Sequence, residues 1–143
     1  MDRGGIDMNE IVLQCDTSDV MVRLYDFHST QSDDYACMSF CLEIKTKAFR
    51  IQKCLQGFLS ELERLSTDLV ALMKRETDSL RLSFLGEFFY MELNRRNDRD
   101  IILKCGVTCY EGTRETNFES EGILKNDDLM PLHQQMTIVL NTI

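Results

Sequence analysis

Apolar residues recur along the chain with two different spacings, and each predicts its own kind of element. Between Cys54 and Glu76 (CLQGFLSELERLSTDLVALMKRE), Leu55, Phe58, Leu59, Leu62, Leu65, Leu69 and Leu72 fall three and four apart. That period lays one apolar stripe along a helix, with Glu61, Glu63, Arg64, Asp68, Lys74 and Arg75 mostly off it. A second helical spacing closes the chain, where Leu129, Leu132, Met136, Val139, Leu140 and Ile143 recur within Asn126–Ile143. If Asp127 or Asp128 caps this helix, Pro131 falls in its first turn, where the missing N–H costs little.

Everything else alternates with the period of a strand. Glu10–Cys15 and Val20–Phe27 flank the turn-rich Asp16–Asp19 and predict a hairpin, and the polar His28–Asp34 predicts a surface loop. In Ala36–Lys45, Met38, Phe40, Leu42 and Ile44 share one face, and Phe49 and Ile51 predict a further short strand before the helix. After it, Leu80, Leu82 and Phe84 alternate, Gly86-Glu87 supplies a hairpin turn, and Phe88–Asn94 returns. Arg95–Arg99 predicts a solvated tip. Asp100–Tyr110 is the longest β-prone run and reads as a central strand, with Gly106 marking a bulge or bend. Glu111–Glu115 predicts a turn and Asn117–Leu124 an edge strand guarded by Glu119 and Glu121.

Strands, helix, strands, helix is an α+β order. The expected architecture is one mainly antiparallel sheet of about six to seven strands, with one long helix between two strand groups and a C-terminal helix. Residues 1–9 read as a flexible N-terminal leader and 10–143 as a single domain. No internal repeat is visible.

Composition narrows the functions this fold can carry. The 143 residues are 43% hydrophobic and 28% charged, as in ordinary globular chains. No apolar run approaches the roughly 20 residues a bilayer requires, and the polar MDRGGIDMNE is not a secretory signal, so a cytoplasmic location is expected. A net charge of −8 and a pI near 4.7 argue against nucleic acid or an anionic membrane as partner. They suit a basic protein partner.

Candidate chemistry is sparse. Six cysteines without a signal peptide read as free thiols, and Cys37, Cys41, Cys105 and Cys109 chiefly as core or sheet-face residues. Cys37 and Cys41 cannot share one metal ion along a strand, nor can Cys105 and Cys109, because four residues span about 13 Å at about 3.3 Å each. One cysteine from each strand could meet only if the strands were neighbours. His28 and His133 stand in no catalytic motif, and no phosphate-binding loop occurs. Phe88, Phe89 and Tyr90 adjoin Glu87 and Glu92, which reads as core and not as a nucleic-acid stacking platform. No enzyme, cofactor or metal is expected. The acidic residues of loops and the edge strand remain, among them Asp33, Asp34, Glu111, Glu115, Glu119 and Glu121.

The order of elements and three stretches carry a resemblance. Asp33-Asp34-Tyr35-Ala36 leads into MSFCLEIK, Phe49-Arg50-Ile51 runs to Leu55 and Phe58-Leu59-Ser60-Glu61-Leu62, and Asn126–Leu132 continues into His133-Gln134-Gln135-Met136. Across most of residues 10–143 the chain resembles the WapI-like family of small bacterial immunity proteins, which neutralise a cognate secreted toxin. The resemblance implies a non-enzymatic protein-binding module acting as monomer or homodimer, its acidic surface docking on a basic toxin domain. The expected contact residues are Asp33, Asp34, Tyr35, Tyr110, Glu111, Glu115, Glu119 and Glu121, with Tyr35 or Tyr110 as the aromatic anchor. The alternative is an acidic secretion chaperone that binds an effector segment in an apolar groove.

Overall fold

A computed structural model describes residues 9–15, 19–32, 35–83 and 88–143. Strands β1 (Ile11–Gln14), β2 (Met21–Ser32), β3 (Tyr35–Lys45) and β4 (Arg50–Phe58) form one antiparallel sheet in chain order. Helix α1 (Leu59–Met73) follows. Strands β5 (Ser79–Ser83), β6 (Phe89–Arg95), β7 (Asp100–Glu111) and β8 (Arg114–Lys125) form a second sheet in the same manner, and a 3₁₀ turn (Asn126–Asp128) leads into α2 (Leu129–Thr142).

The fold is α+β with antiparallel strands, as expected, but the sheet is not single. Two sheets of four strands replace the expected one of six to seven. The alternation shows which face of a strand is buried and not which strand lies beside it, so it cannot distinguish one sheet from two. The four-strands-then-helix unit occurs twice, a repeat of topology that the residues do not display as a repeat of sequence.

Three element boundaries also differ from expectation. Residues 50–58 pair in register with Lys45 back to Cys37, so Cys54 and Leu55 lie in a strand, not in the helix. The helix starts at Leu59, where the Phe58 N–H donates to Glu61 Oε1 at 2.7 Å and satisfies one otherwise orphaned donor. The expected loop His28–Asp34 is instead largely strand: β2 runs to Ser32, its register shifting between Tyr25 and His28, where Asp26 has a φ of 57°. Polar side chains do not prevent strand pairing, because the ladder is made by the backbone. Residues 1–8, 16–18, 33–34 and 84–87 lie outside the described residues, which removes most of the expected leader and first turn, and the Gly86-Glu87 hairpin.

One core joins all layers. Val22, Leu24, Met38, Phe40, Leu42 and Ile44 face inward from the first sheet, and Met91, Leu93, Ile101, Leu103 and Cys105 from the second. Leu62, Leu65, Leu69 and Leu72 of α1 and Leu129, Leu132, Met136 and Val139 of α2 complete it. The two helices pack on each other, α1 also on β5 and α2 on β1. Arg95 of β6 ties the seams by donating to the Leu72 carbonyl at 2.9 Å and to Asn126 Oδ1 at 3.0 Å. Among the described residues, no helix is long and apolar enough to cross a membrane.

Candidate functional site

Among the described residues, β7 pairs with β6 from Ile101 to Val107, with the Thr108 N–H donating to the Phe88 carbonyl at 2.9 Å, whereas its pairing with β8 continues to Glu111 and Arg114. The β7–β8 ribbon therefore runs on past the last described pairing with β6. Gly112-Thr113 turns its tip, with Gly112 at a φ of 63° that a side chain would strain. Residues 110–117 are all exposed, so this extension contributes nothing to the core.

Aromatic side chains gather at the base of the extension. Phe88 and Tyr110 are 39% and 53% exposed, and their rings meet edge to face at 5.9 Å. Lys53 of β4 reaches across from the other sheet, its Nζ 5.2 Å from the Phe88 ring centre and 3.0 Å from the Thr108 carbonyl it donates to. On the other face of the ribbon Phe118 packs against Phe49 at 5.2 Å. The expectation that Phe88 is core is thus corrected: Phe89 is buried, and alternation turns Phe88 outward.

The outer face of the second sheet is ordered by a contact that the expected bulge at Gly106 anticipated only in part. No bulge occurs, since Gly106 keeps register with Tyr90 and Glu119. Tyr90 lies flat over it instead: a Cβ at Gly106 would come within 2.5 Å of Tyr90 Cε1. The ring then reaches β8, where its hydroxyl donates to Glu119 Oε2 at 2.6 Å. Burial, and then this bond to a carboxylate, push the Tyr90 phenol up to about 12. Arg81 covers the same ring at 4.8 Å and pairs with Glu92.

The residues expected to bind a partner are placed as follows. Tyr110, Glu111, Glu115, Glu119 and Glu121 all lie on the ribbon, with Tyr110 opposite Glu115, Glu111 opposite Arg114, and Glu121 opposite Lys104. Alternation puts Glu115, Glu119 and Glu121 on one face of β8. Strand β8 is an edge strand of its sheet, as expected. Asp33 and Asp34 lie outside the described residues, as does the side chain of Tyr35. The acidic turn before β7 is a structural tie: Lys125 at 2.9 Å, and then Asn97, hold Asp100 below its ordinary carboxylate range. Phe88 and Lys53 were missed by sequence reasoning, and the outward parity of Phe88 beside an inward Phe89 was the signal that could have found the first.

Other candidate chemistry is dispersed. His28 Nε2 is 2.9 Å from Asp26 Oδ1, and both side chains are exposed on β2. The groove between α1 and β5 is lined by Glu61, Arg64, Asp68, Arg81 and Ser83, without a histidine. Among the described residues, no group of three or more His, Cys, Asp or Glu is placed to hold a metal ion.

No family model and no curated protein matches the chain. Among solved structures it is similar to a chain of trypanosoma bruciei MRP1/MRP2, 11% identical over 92% of this chain and 82% of that one, with a TM-score of 0.45.

Proposed function

We propose that the protein is a non-enzymatic binding module whose docking surface is the outer face and tip of β7–β8, and that it acts as an immunity protein, neutralising a cognate toxin in the cytoplasm by stoichiometric binding. The observation that supports this most is the exposed Phe88–Tyr110 pair beside the carboxylates of an edge ribbon whose residues 110–117 are all exposed. Exposed aromatics lose area to water until something covers them, and a rigid pair loses little entropy on being covered. Glu115, Glu119 and Glu121 supply the sign of charge that speeds encounter with a basic domain. The Lys53 contacts fix Phe88 from the other sheet, so the surface is preorganised before a partner arrives.

The test is co-expression with the C-terminal domain of a large secreted protein encoded next to this chain. A complex of one copy of each, or two of each, is expected on size-exclusion chromatography. Phe88→Ala combined with Tyr110→Ala should weaken it by about thirtyfold or more, with an unchanged thermal midpoint. Failure to bind any neighbouring toxin domain defeats the proposal, and binding that ignores the double variant moves the surface elsewhere.

A further inference from the structure

We propose that Cys41 and Cys54 form a reversible dithiol–disulfide site that exchanges with small disulfides of the glutathione class. The two residues are direct partners across β3 and β4, and their sulfurs are 3.3 Å apart. Directly opposed residues in an antiparallel pair have Cα atoms about 4.5–5.5 Å apart, inside the range a disulfide spans. Closing the sulfurs to a bond of about 2.05 Å requires little more than an ångström of movement. Both side chains alternate with the inward-facing Phe40, Leu42 and Leu55, so they lie on the outer face of the sheet and the core need not move.

The surroundings order the two sulfurs. Cys54 is exposed and Cys41 half-buried. The Cys41 thiol is pushed up to about 11, first by its hydrogen bond with Cys54, then by burial, then by the charges of Cys54 and Asp26, with Arg23 opposing. The Asp26 carboxylate lies 4.0 Å from Cys41 Sγ because the irregular register of β2 turns it that way. The exposed Cys54 sulfur is the one a disulfide in solution reaches, so Cys54 attacks first. The Cys54 thiolate forms a bond to one sulfur of the glutathione disulfide, whose S–S bond breaks and releases one glutathione thiolate, which is protonated. Cys41 then loses its proton to water and attacks Cys54 Sγ, expelling the second glutathione. Two protein thiols have lost two electrons and two protons, and one glutathione disulfide has gained both to become two thiols. The reverse sequence regenerates the dithiol. Of the other cysteines, Cys15 and Cys105 are buried, with Cys105 Sγ 3.6 Å from Ser120 Oγ, and the half-buried Cys37 and Cys109 stand opposite Phe58 and Thr116, not opposite a thiol.

The experiment incubates the full chain in glutathione buffers from fully reduced to fully oxidised, then quenches with acid, alkylates and maps peptides by mass. An intramolecular Cys41–Cys54 crosslink is expected in oxidised buffer and its complete loss in reduced buffer. Cys41→Ser should trap one glutathione on Cys54, and Cys54→Ser should react at least about tenfold more slowly. Absence of a crosslink in excess oxidised glutathione, or its assignment to another pair, overturns the proposal. Mapping the unsubstituted chain settles the pairing even if a variant fails to fold.

Discussion

On the outer face of the first sheet, Arg23 lies 3.9 Å over the Tyr25 ring and Glu43 is held between Arg23 and Arg50. On that of the second, Arg81 lies 4.8 Å over the Tyr90 ring and Glu119 accepts the Tyr90 hydroxyl. The same three residue types are used to different ends. Glu43 is only 5% exposed, and two guanidiniums balance its charge. Glu119 is exposed, its partner is a neutral phenol, and Glu115 and Glu121 share its face. A carboxylate neutralised at close range holds strands together, whereas one oriented by a neutral donor keeps its charge for whatever approaches. The first sheet consumes the charge of Glu43 internally, whereas the second displays that of Glu119.

The sharpest way to break this comparison is to remove each carboxylate in turn. Glu43→Ala should cost about 2 kcal/mol in urea denaturation, below the usual cost of breaking a buried pair because Arg50 can turn to water. Glu119→Ala should cost no more than about 0.5 kcal/mol. Equal costs would erase the distinction. Next in size, Glu119→Lys should slow association with a basic partner by about tenfold at low salt and far less at high salt, measured by stopped flow. The equivalent reversal at Glu43 is expected to act through folding, seen as a lowered thermal midpoint.

Smaller effects test how Glu119 is oriented. Gly106→Ala places a Cβ within 2.5 Å of Tyr90, whose ring must swing off β7 and surrender its bond to Glu119. The expected cost is about 1 kcal/mol. In a Tyr90→Ala background the same substitution should add nothing, which a double-mutant cycle reads directly. The last effect is one of pH. The Tyr90 phenol is raised from 10.0 to about 12, so the stability it contributes is complete below pH 10 and is lost as pH rises toward 12. Tyr90→Phe should flatten that part of the urea midpoint against pH, and an unchanged profile would mean the bond to Glu119 contributes nothing in solution.

The sequence made some elements legible and left others closed, for separate physical reasons. Met38, Phe40, Leu42 and Ile44 alternate and are all buried, and Leu62, Leu65, Leu69 and Leu72 form the helical stripe that α1 buries. Leu55 and Phe58 satisfied that stripe too, yet they belong to β4. A three-and-four spacing over a few residues is compatible with either element, and only nine consecutive pairings with β3 decide between them. The acidic edge strand could be read because Glu119 and Glu121 occupy alternate positions. The aromatic base could not, because Phe88 and Lys53 meet only once two separate sheets are brought together. Cys54 was hidden for a different reason: its partner is 13 residues away in sequence but directly across a strand pair of the same sheet, which became visible only once Cys54 was placed in β4 and not in the helix.

The bond from the Val12 amide to Gln135 Oε1 joins the first strand to the last helix across 123 residues. Every strand pair, by contrast, links chain neighbours. Hairpins of that kind close in about 1–10 μs, while contacts between distant segments wait on a larger loss of chain entropy. The two sheets can each begin to assemble from their own neighbouring strands, and the seam along α1, α2 and β1 is what remains to be found. That seam is expected to set the pace of refolding, which stopped-flow refolding of a Gln135→Ala variant would check. The parts of the molecule that fold fastest are thus the ones that present its surface chemistry, and the slow step is the joining of two halves.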